Sequence, residues 1–211
     1  MDSDRPARRP QGEQRREAIM DAALRLFGEH GFEGTSIRDI AREVGVTEGL
    51  LYHYFDSKSD LVHAICRERG WQARVGRVVE RMTATSLEDA LCEMTGQFLD
   101  SLIENSHMVR LLISELHRDP VLAERHLRDI EANRDALVAA LEPRQRAGEI
   151  RYDASLRVAV GLLLGAAYSL FALWGNAPPD QWREMRRSLL QDGVAIVARG
   201  LEPPKTDAAG P

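Results

Sequence analysis

The stretch VTEGLLYHYF, Val46 to Phe55, sets three aromatic rings and a histidine into ten residues of a chain whose aromatic content is only 6%. A core helix would carry Leu or Ala where Tyr52, His53 and Tyr54 stand, and a solvated helix would carry Lys or Glu. Rings with polar tips suit a face that meets something wide and charged. Leu51 and Phe55, four residues apart, fall on one side of a helix and turn inward. Thr47 is a capping residue at its start.

The pattern extends in both directions. Upstream, Ser36 with Asp39 three residues on is a capping-box start for a second helix, and Ile37, Ile40, Ala41 and Val44 form its apolar stripe. Gly45 ends that helix in a tight turn. A first helix over 13–30 buries Ile19, Ala22, Ala23, Leu26 and Phe27, and Gly31 and Gly34 stop it. Downstream, Ser57 and Asp60 start a fourth helix, which the spacing carries to Met82. A capped helix, a glycine turn and a short helix make a helix-turn-helix, whose second helix lies in a DNA major groove and leads with its N-terminus. Thr47, Glu48, Gly49 and Leu50 then face the duplex, with Tyr52 and His53 at the middle of the exposed face. Tyr52 can donate its hydroxyl to a phosphate, Lys58 adds a point charge, and Thr35 and Ser36 offer a second phosphate clamp.

The run GTSIRDIAREVGVTEGLLYHYFDSKSDLV, Gly34 to Val62, resembles the DNA-binding domain of the TetR (tetracycline repressor-like) transcriptional regulators. The likeness spans about residues 15–65. It rests on the capped second helix, the glycine turn, Tyr52-x-x-Phe55 and the lysine that follows. It implies that Thr35, Ser36, Thr47, Gly49, Tyr52, His53 and Lys58 contact DNA. Glu48 and Leu50 depart from a common pattern, which has lysine and a small or hydroxyl residue there. Glu48 can accept from a cytosine amino group or complement the helix dipole; Leu50 can touch a thymine methyl.

The fold class expected is all-α: an N-terminal three-helix helix-turn-helix domain and a C-terminal helical domain for ligand binding and dimerisation. The divisions expected are a flexible basic arm over 1–12, a DNA-binding domain over 13–60, an effector and dimerisation domain over 61–202 and a disordered tail over 203–211. Net charge is −5, so positive charge must be concentrated locally, and Arg5, Arg8, Arg9, Arg15 and Arg16 supply it near one end. That arm is either a solvated tail or a minor-groove probe.

Beyond residue 82 the apolar spacing gives helices with breaks at Asn105, Asp119–Pro120, Pro143, Gly148 and Pro178–Pro179. Gly161, Gly165 and Ser169 form a small-residue seam at four-residue spacing. Trp182, Met185, Leu189, Gly193 and Ile196 add a face on the last helix. Packed across a two-fold axis these make a four-helix dimer interface; packed inward they belong to one subunit. The uncharged run from Val158 has the composition of a membrane helix, but Gly175, Pro178 and Pro179 cut it to a length at the short limit for a bilayer.

The resemblance further implies a small, largely apolar effector. Candidates to line its cavity are Trp71, Met94, Phe98, Met108, Leu111, Leu112, Tyr168, Phe171 and Trp174, with Glu115 as polar anchor; the same spacing also describes plain core. No catalytic motif, cofactor motif or metal-ligand spacing is found. Cys66 and Cys92 make no disulfide framework, which fits a cytoplasmic protein. The reading is a homodimeric, ligand-released repressor whose partners are double-stranded DNA with a palindromic operator, a small-molecule effector and a second copy of itself, without a membrane. The alternatives are a membrane-associated helical dimer and a helical enzyme.

Overall fold

The structure, a computed structural model, describes residues 11–82 and 85–203. Eleven α-helices and no strand are present among them. In order they are α1 Gln11–His30, α2 Ile37–Val44, α3 Glu48–Tyr54, α4 Lys58–Arg69, α5 Gln72–Met82, α6 Leu87–Glu104, α7 Ser106–Leu116, α8 Pro120–Arg146, α9 Leu156–Trp174, α10 Pro179–Ser188 and α11 Val194–Leu201, with a π-helical turn, Leu189–Gly193, joining the last two. Arg5, Arg8 and Arg9 of the expected arm, and the expected tail apart from Pro203, lie outside the described residues.

The chain forms two compact units. The first holds the chain up to Cys66 together with His107–Leu122; the second holds Arg67–Ser106 and the chain from Ala123 on. The chain passes from one unit to the other three times, within α4, at the start of α7 and within α8, where one division near residue 60 is the sequence expectation.

The first core takes in the apolar stripes expected in α1, α2 and α3. Ile19 and Ala23 of α1, Ile40 of α2, Leu51 of α3, Phe55, and Leu61 and Ile65 of α4 are all buried in it. Each fully buried Leu, Ile or Phe contributes about 1.5–3 kcal/mol. Met108 and Leu112 of α7 and Leu122 of α8 complete the same cluster. The second core joins Val75 and Val78 of α5, Leu91 and Met94 of α6, Leu137 and Leu141 of α8, Val160 and Leu163 of α9, and Val194 and Ala198 of α11.

Three features differ from the sequence reading. The fourth helix does not run to Met82 as a rod. It stops at Arg69, and α5 starts again at Gln72. Gly70 weakens the helix there. Trp71 supplies the carbonyl that accepts from Arg74 and Val75, at 2.8 and 3.1 Å, and its ring packs edge-on against Phe98 with centroids 5.1 Å apart. Second, α8 passes through Pro143 to Arg146. A proline this close to a helix end removes only one backbone bond. Arg144 ties the last turn down by donating to the Met82 carbonyl at 2.7 Å and pairing with Glu149 at 2.8 Å. Third, the last helix is interrupted by the π turn, which shifts the side chains beyond it around the axis. The Leu190 carbonyl in that turn accepts a hydrogen bond from the Cys92 thiol of α6 at 2.9 Å.

Candidate nucleic-acid interface

The turn between α2 and α3 is built entirely from local rules. Ser36 Oγ accepts from the Asp39 N–H at 3.1 Å, and the Asp39 carboxylate accepts from the Ser36 N–H at 3.0 Å, so the capping box is closed. The Ser36 hydroxyl also donates to the Asp39 carboxylate, and this bond first, then the one from the Ser36 N–H, holds the Asp39 carboxyl below its ordinary range. At the other end Gly45 takes φ 73°, a left-handed conformation. Its N–H donates to the Arg42 carbonyl and the Val46 N–H to the Ala41 carbonyl, at 3.2 and 2.9 Å. That paired closure needs a residue without a Cβ penalty. Thr47 Oγ1 then accepts from the Leu50 N–H at 3.2 Å and starts α3.

Helix α3 is seven residues long and sharply two-sided. Leu51 is 0% and Phe55 1% exposed, whereas Tyr52 is 52% exposed. Thr47, Glu48, Gly49 and His53 share the open side with Tyr52, and Leu50 is half-buried. Tyr54 points elsewhere: its hydroxyl lies 3.5 Å from where a Cβ on Gly12 would stand, at the first turn of α1. Its ring meets His53 edge-on with centroids 5.4 Å apart. Ser36, Arg38 and Arg42 are exposed on α2 and its cap.

Two expected contact residues are engaged inside the protein instead. Thr35 is 1% exposed, and its hydroxyl lies 2.8 Å from the Gly31 carbonyl and 3.1 Å from that of Leu26. Its side chain closes the end of α1. Lys58 donates from Nζ to the carbonyls of Phe32 and Thr35 at 2.6 and 2.9 Å, and the ammonium sits 4.0 Å from the centroid of the Phe32 ring. Two of its three N–H donors are thus spent on the turn between α1 and α2. The expected roles of Ser36, Thr47, Glu48, Gly49, Leu50, Tyr52 and His53 meet no such obstruction.

Arg38 was missed by the sequence reading. Its Nε stands 3.8 Å from Glu48 Oε1, with both side chains largely exposed. The acid at the head of α3 is therefore matched by a cation on α2. The signal was available in the spacing: Arg38 stands one residue into α2, opposite the stripe of Ile37, Ile40 and Ala41.

The expected effector-lining set is divided. Met108, Leu111, Leu112 and Glu115 belong to the first unit, and Trp71, Met94, Phe98, Tyr168, Phe171 and Trp174 to the second. Met94 is 0% and Phe171 1% exposed, so both are packed solid, while Tyr168 and Trp174 are open. Glu115 is a bonded core residue: it accepts from Ser59 Oγ at 2.8 Å and pairs with Arg118 at 3.3 Å, and Arg118 reaches Glu33 at 3.2 Å. Burial pushes the Cys66 thiol up to about 12. Burial also raises the Cys92 thiol, helped by Glu88 and Asp89. Neither is a reactive thiolate at neutral pH.

On α9 the small-residue seam is open. A Cβ on Gly165 would meet nothing within 4 Å, and one on Gly161 would meet only Arg134 Nη1 at 3.9 Å. Around it Val158, Leu162 and Leu173 are 58, 60 and 79% exposed, and Ile196 of α11 is 67% exposed. Ser169 is exposed, whereas Trp182, Met185, Leu189 and Gly193 are half-buried. Leu189 is held by its own π turn, 3.2 Å from where a Cβ on Gly193 would stand. Helix α9 is also long and apolar enough to cross a membrane, with a mean hydropathy of 1.9 and about a third of it buried.

The family described as "Bacterial regulatory proteins, tetR family" matches residues 19–65, from the middle of α1 to the middle of α4. The HTH-type transcriptional repressor AcnR of Corynebacterium diphtheriae is 30% identical over 146 residues, covering 68% of this chain and 72% of the repressor. Among solved structures, Salmonella enterica GusR superposes with a TM-score of 0.70 at 25% identity, over 92% of this chain and 98% of its own. FadR of Bacillus subtilis, in complex with stearoyl-CoA, does so with a TM-score of 0.65 at 20% identity, over 88 and 99%. The match therefore extends well beyond the helix-turn-helix, and the chain belongs to the tetR family of bacterial transcriptional regulators.

Proposed function

We propose that the protein is a cytoplasmic, homodimeric repressor that reads two operator half-sites with α3 and leaves them when a small molecule binds its second unit. The observation that carries the reading is the two-sidedness of α3: Leu51 and Phe55 are sealed in the first core, and Tyr52 beside them is half exposed. Tyr52 and Ser36 meet phosphates. Thr47, Leu50 and His53 meet base edges, and Gly49 lets the backbone come close. Glu48 reads a base together with Arg38. Lys58 serves by holding the turn between α1 and α2.

The open face of α9 and α11 supports a second copy as the occupant of that surface. An apolar area of this kind on a monomer marks an interface, and the likeness to a transcriptional repressor supports a protein that works on DNA. A two-fold dimer places its α3 helices at half-sites about 34 Å apart or a multiple of that. FadR carries stearoyl-CoA on this fold, which supports a small-molecule effector here without naming one. Because α4 ends at Arg69, the effector acts through α4, α7 and α8, which cross between the units. By linkage, operator DNA must weaken effector binding by the factor that the effector weakens operator binding.

Selection of bound sites from random duplex DNA tests the reading. It should yield a palindrome with evenly spaced half-sites. Enrichment of a lone half-site would refute the dimer, and no enrichment at all would refute sequence-specific reading.

A further inference from the structure

The first turn of α1 sits against the end of α3. The hydroxyl of Tyr54, the last residue of α3, lies 3.5 Å from where a Cβ on Gly12 would stand. The Arg16 guanidinium lies 4.9 Å from the centroid of the Phe55 ring, and its Nη1 reaches Met20 Sδ at 3.8 Å. Arg16, expected as part of the local positive charge, is therefore engaged in holding α1 onto α3. The Tyr54 ring meets that of His53 edge-on with centroids 5.4 Å apart, and His53 is on the open side of α3. One ring thus separates the start of α1 from the face proposed to read the duplex.

The sequence concentrates charge next to that point. Residues 5–12 hold Arg5, Arg8 and Arg9 and no acid, in a chain of net charge −5; Asp2 and Asp4 stand farther from α1. Arg15 of α1 is exposed and adds a further cation, with Glu13, also exposed, two residues before it. Six residues separate Arg5 from Gln11, a reach of at most about 20 Å. The minor groove next to a major groove is half a helical turn away, about 17 Å along the axis. The segment is therefore long enough to reach it from a root beside α3. Guanidinium groups favour narrow, A·T-rich minor grooves, where the potential is most negative. G·C pairs differ there by the guanine amino group, which projects into the groove.

We propose that Arg5, Arg8 and Arg9 enter the minor groove beside the major groove occupied by α3, and that they select A·T-rich base pairs flanking the operator half-site. The packing of Gly12 on Tyr54 and of Arg16 on Phe55 sets where the segment starts. The inference rests on the reading of α3 as the recognition helix, and it adds a second groove and a second stretch of sequence to what the protein recognises.

The test is equilibrium binding of the full chain to duplexes that share one operator core and carry flanks of A·T, inosine·C or G·C pairs. Inosine lacks the guanine amino group, so an inosine·C pair resembles A·T in the minor groove and G·C in the major groove. The parent should bind A·T-flanked and inosine·C-flanked operator alike, and at least about five-fold more tightly than G·C-flanked operator, the scale of one mismatched base pair. A variant carrying Arg5→Gln, Arg8→Gln and Arg9→Gln should bind all three alike, with a salt slope on the A·T-flanked operator lower by about two to three. Equal affinity of the parent for A·T and G·C flanks would overturn the inference. So would inosine·C flanks that behave as G·C, which put the readout in the major groove, and a flank preference that the triple variant keeps, which puts it in the shape of the DNA. A scrambled core between A·T flanks keeps the two failures apart: a parent that binds it as tightly as the operator core refutes the repressor reading itself.

Discussion

The ammonium of Lys58, at the first residue of α4, lies 2.6 Å from the carbonyl oxygen of Phe32 and 4.0 Å from the centroid of its ring. One side chain thus locks the turn between α1 and α2 onto the helix that follows the recognition helix. A lysine next to a DNA-reading element is ordinarily assigned to phosphate. Here two of its donors serve backbone carbonyls, that of Thr35 and that of Phe32, which also accepts from the Thr35 N–H at 3.2 Å. Lys58→Ala should therefore lower the melting temperature, because it removes two charge-assisted hydrogen bonds from the turn and leaves the Thr35 carbonyl without this donor, a cost of about 1–3 kcal/mol. Its effect on operator affinity should come with a salt slope close to the parent's. A slope reduced by about one at unchanged melting temperature would return Lys58 to the phosphates.

Thr35 belongs to the same lock. Thr35→Val keeps the shape and removes the hydroxyl whose one hydrogen serves the Gly31 carbonyl at 2.8 Å, with that of Leu26 at 3.1 Å as the alternative acceptor. It should cost about 1–3 kcal/mol in denaturant unfolding, with the preferred operator sequence unchanged.

Arg38 and Glu48 should behave in the opposite way. Their pair is exposed and worth at most about 1 kcal/mol to stability. Glu48→Gln or Arg38→Ala should leave the unfolding midpoint near the parent's and alter which sequences are enriched from random duplexes. An unaltered preference in both variants would leave the pair as surface electrostatics alone.

The open face of α9 makes a prediction about assembly. Charged residues at Leu162 and Leu173, 60 and 79% exposed, cost a monomer little and an apolar interface a great deal. Leu162→Glu with Leu173→Glu should run as a monomer by light scattering and lose operator affinity. Helix content should be kept. A variant that stays dimeric would move the interface elsewhere.

What was legible in the sequence is what local chemistry decides. Ser36 with Asp39, Gly45 and Thr47 act on backbone groups within four residues, so the helix-turn-helix could be read residue by residue. The apolar stripes of α1 to α3 found their core for the same reason. Contacts distant in sequence stayed hidden. Lys58 meets a carbonyl 26 residues away, and α7 packs Met108 and Leu112 into the first core, although their spacing suits any buried helix. Glu115 looked like a ligand anchor because nothing in the sequence reveals Ser59 as its donor. One glycine costs a helix only about 1 kcal/mol, so Gly70 does not announce the break between α4 and α5; the packing of Trp71 on Phe98, which accompanies it, is a contact distant in sequence.

The central claim is that the exposed side of α3 reads the operator, and Tyr52 tests it most directly. Tyr52 is half exposed and contributes little to the core, so its truncation separates binding from folding. The measurement is the affinity of parent and Tyr52→Ala for the selected operator and for a scrambled duplex, with melting curves on the same samples. The account predicts at least about a ten-fold loss on the operator, the scale of one charge-assisted hydrogen bond to phosphate, at a melting temperature close to the parent's. Operator affinity equal to the parent's would contradict it.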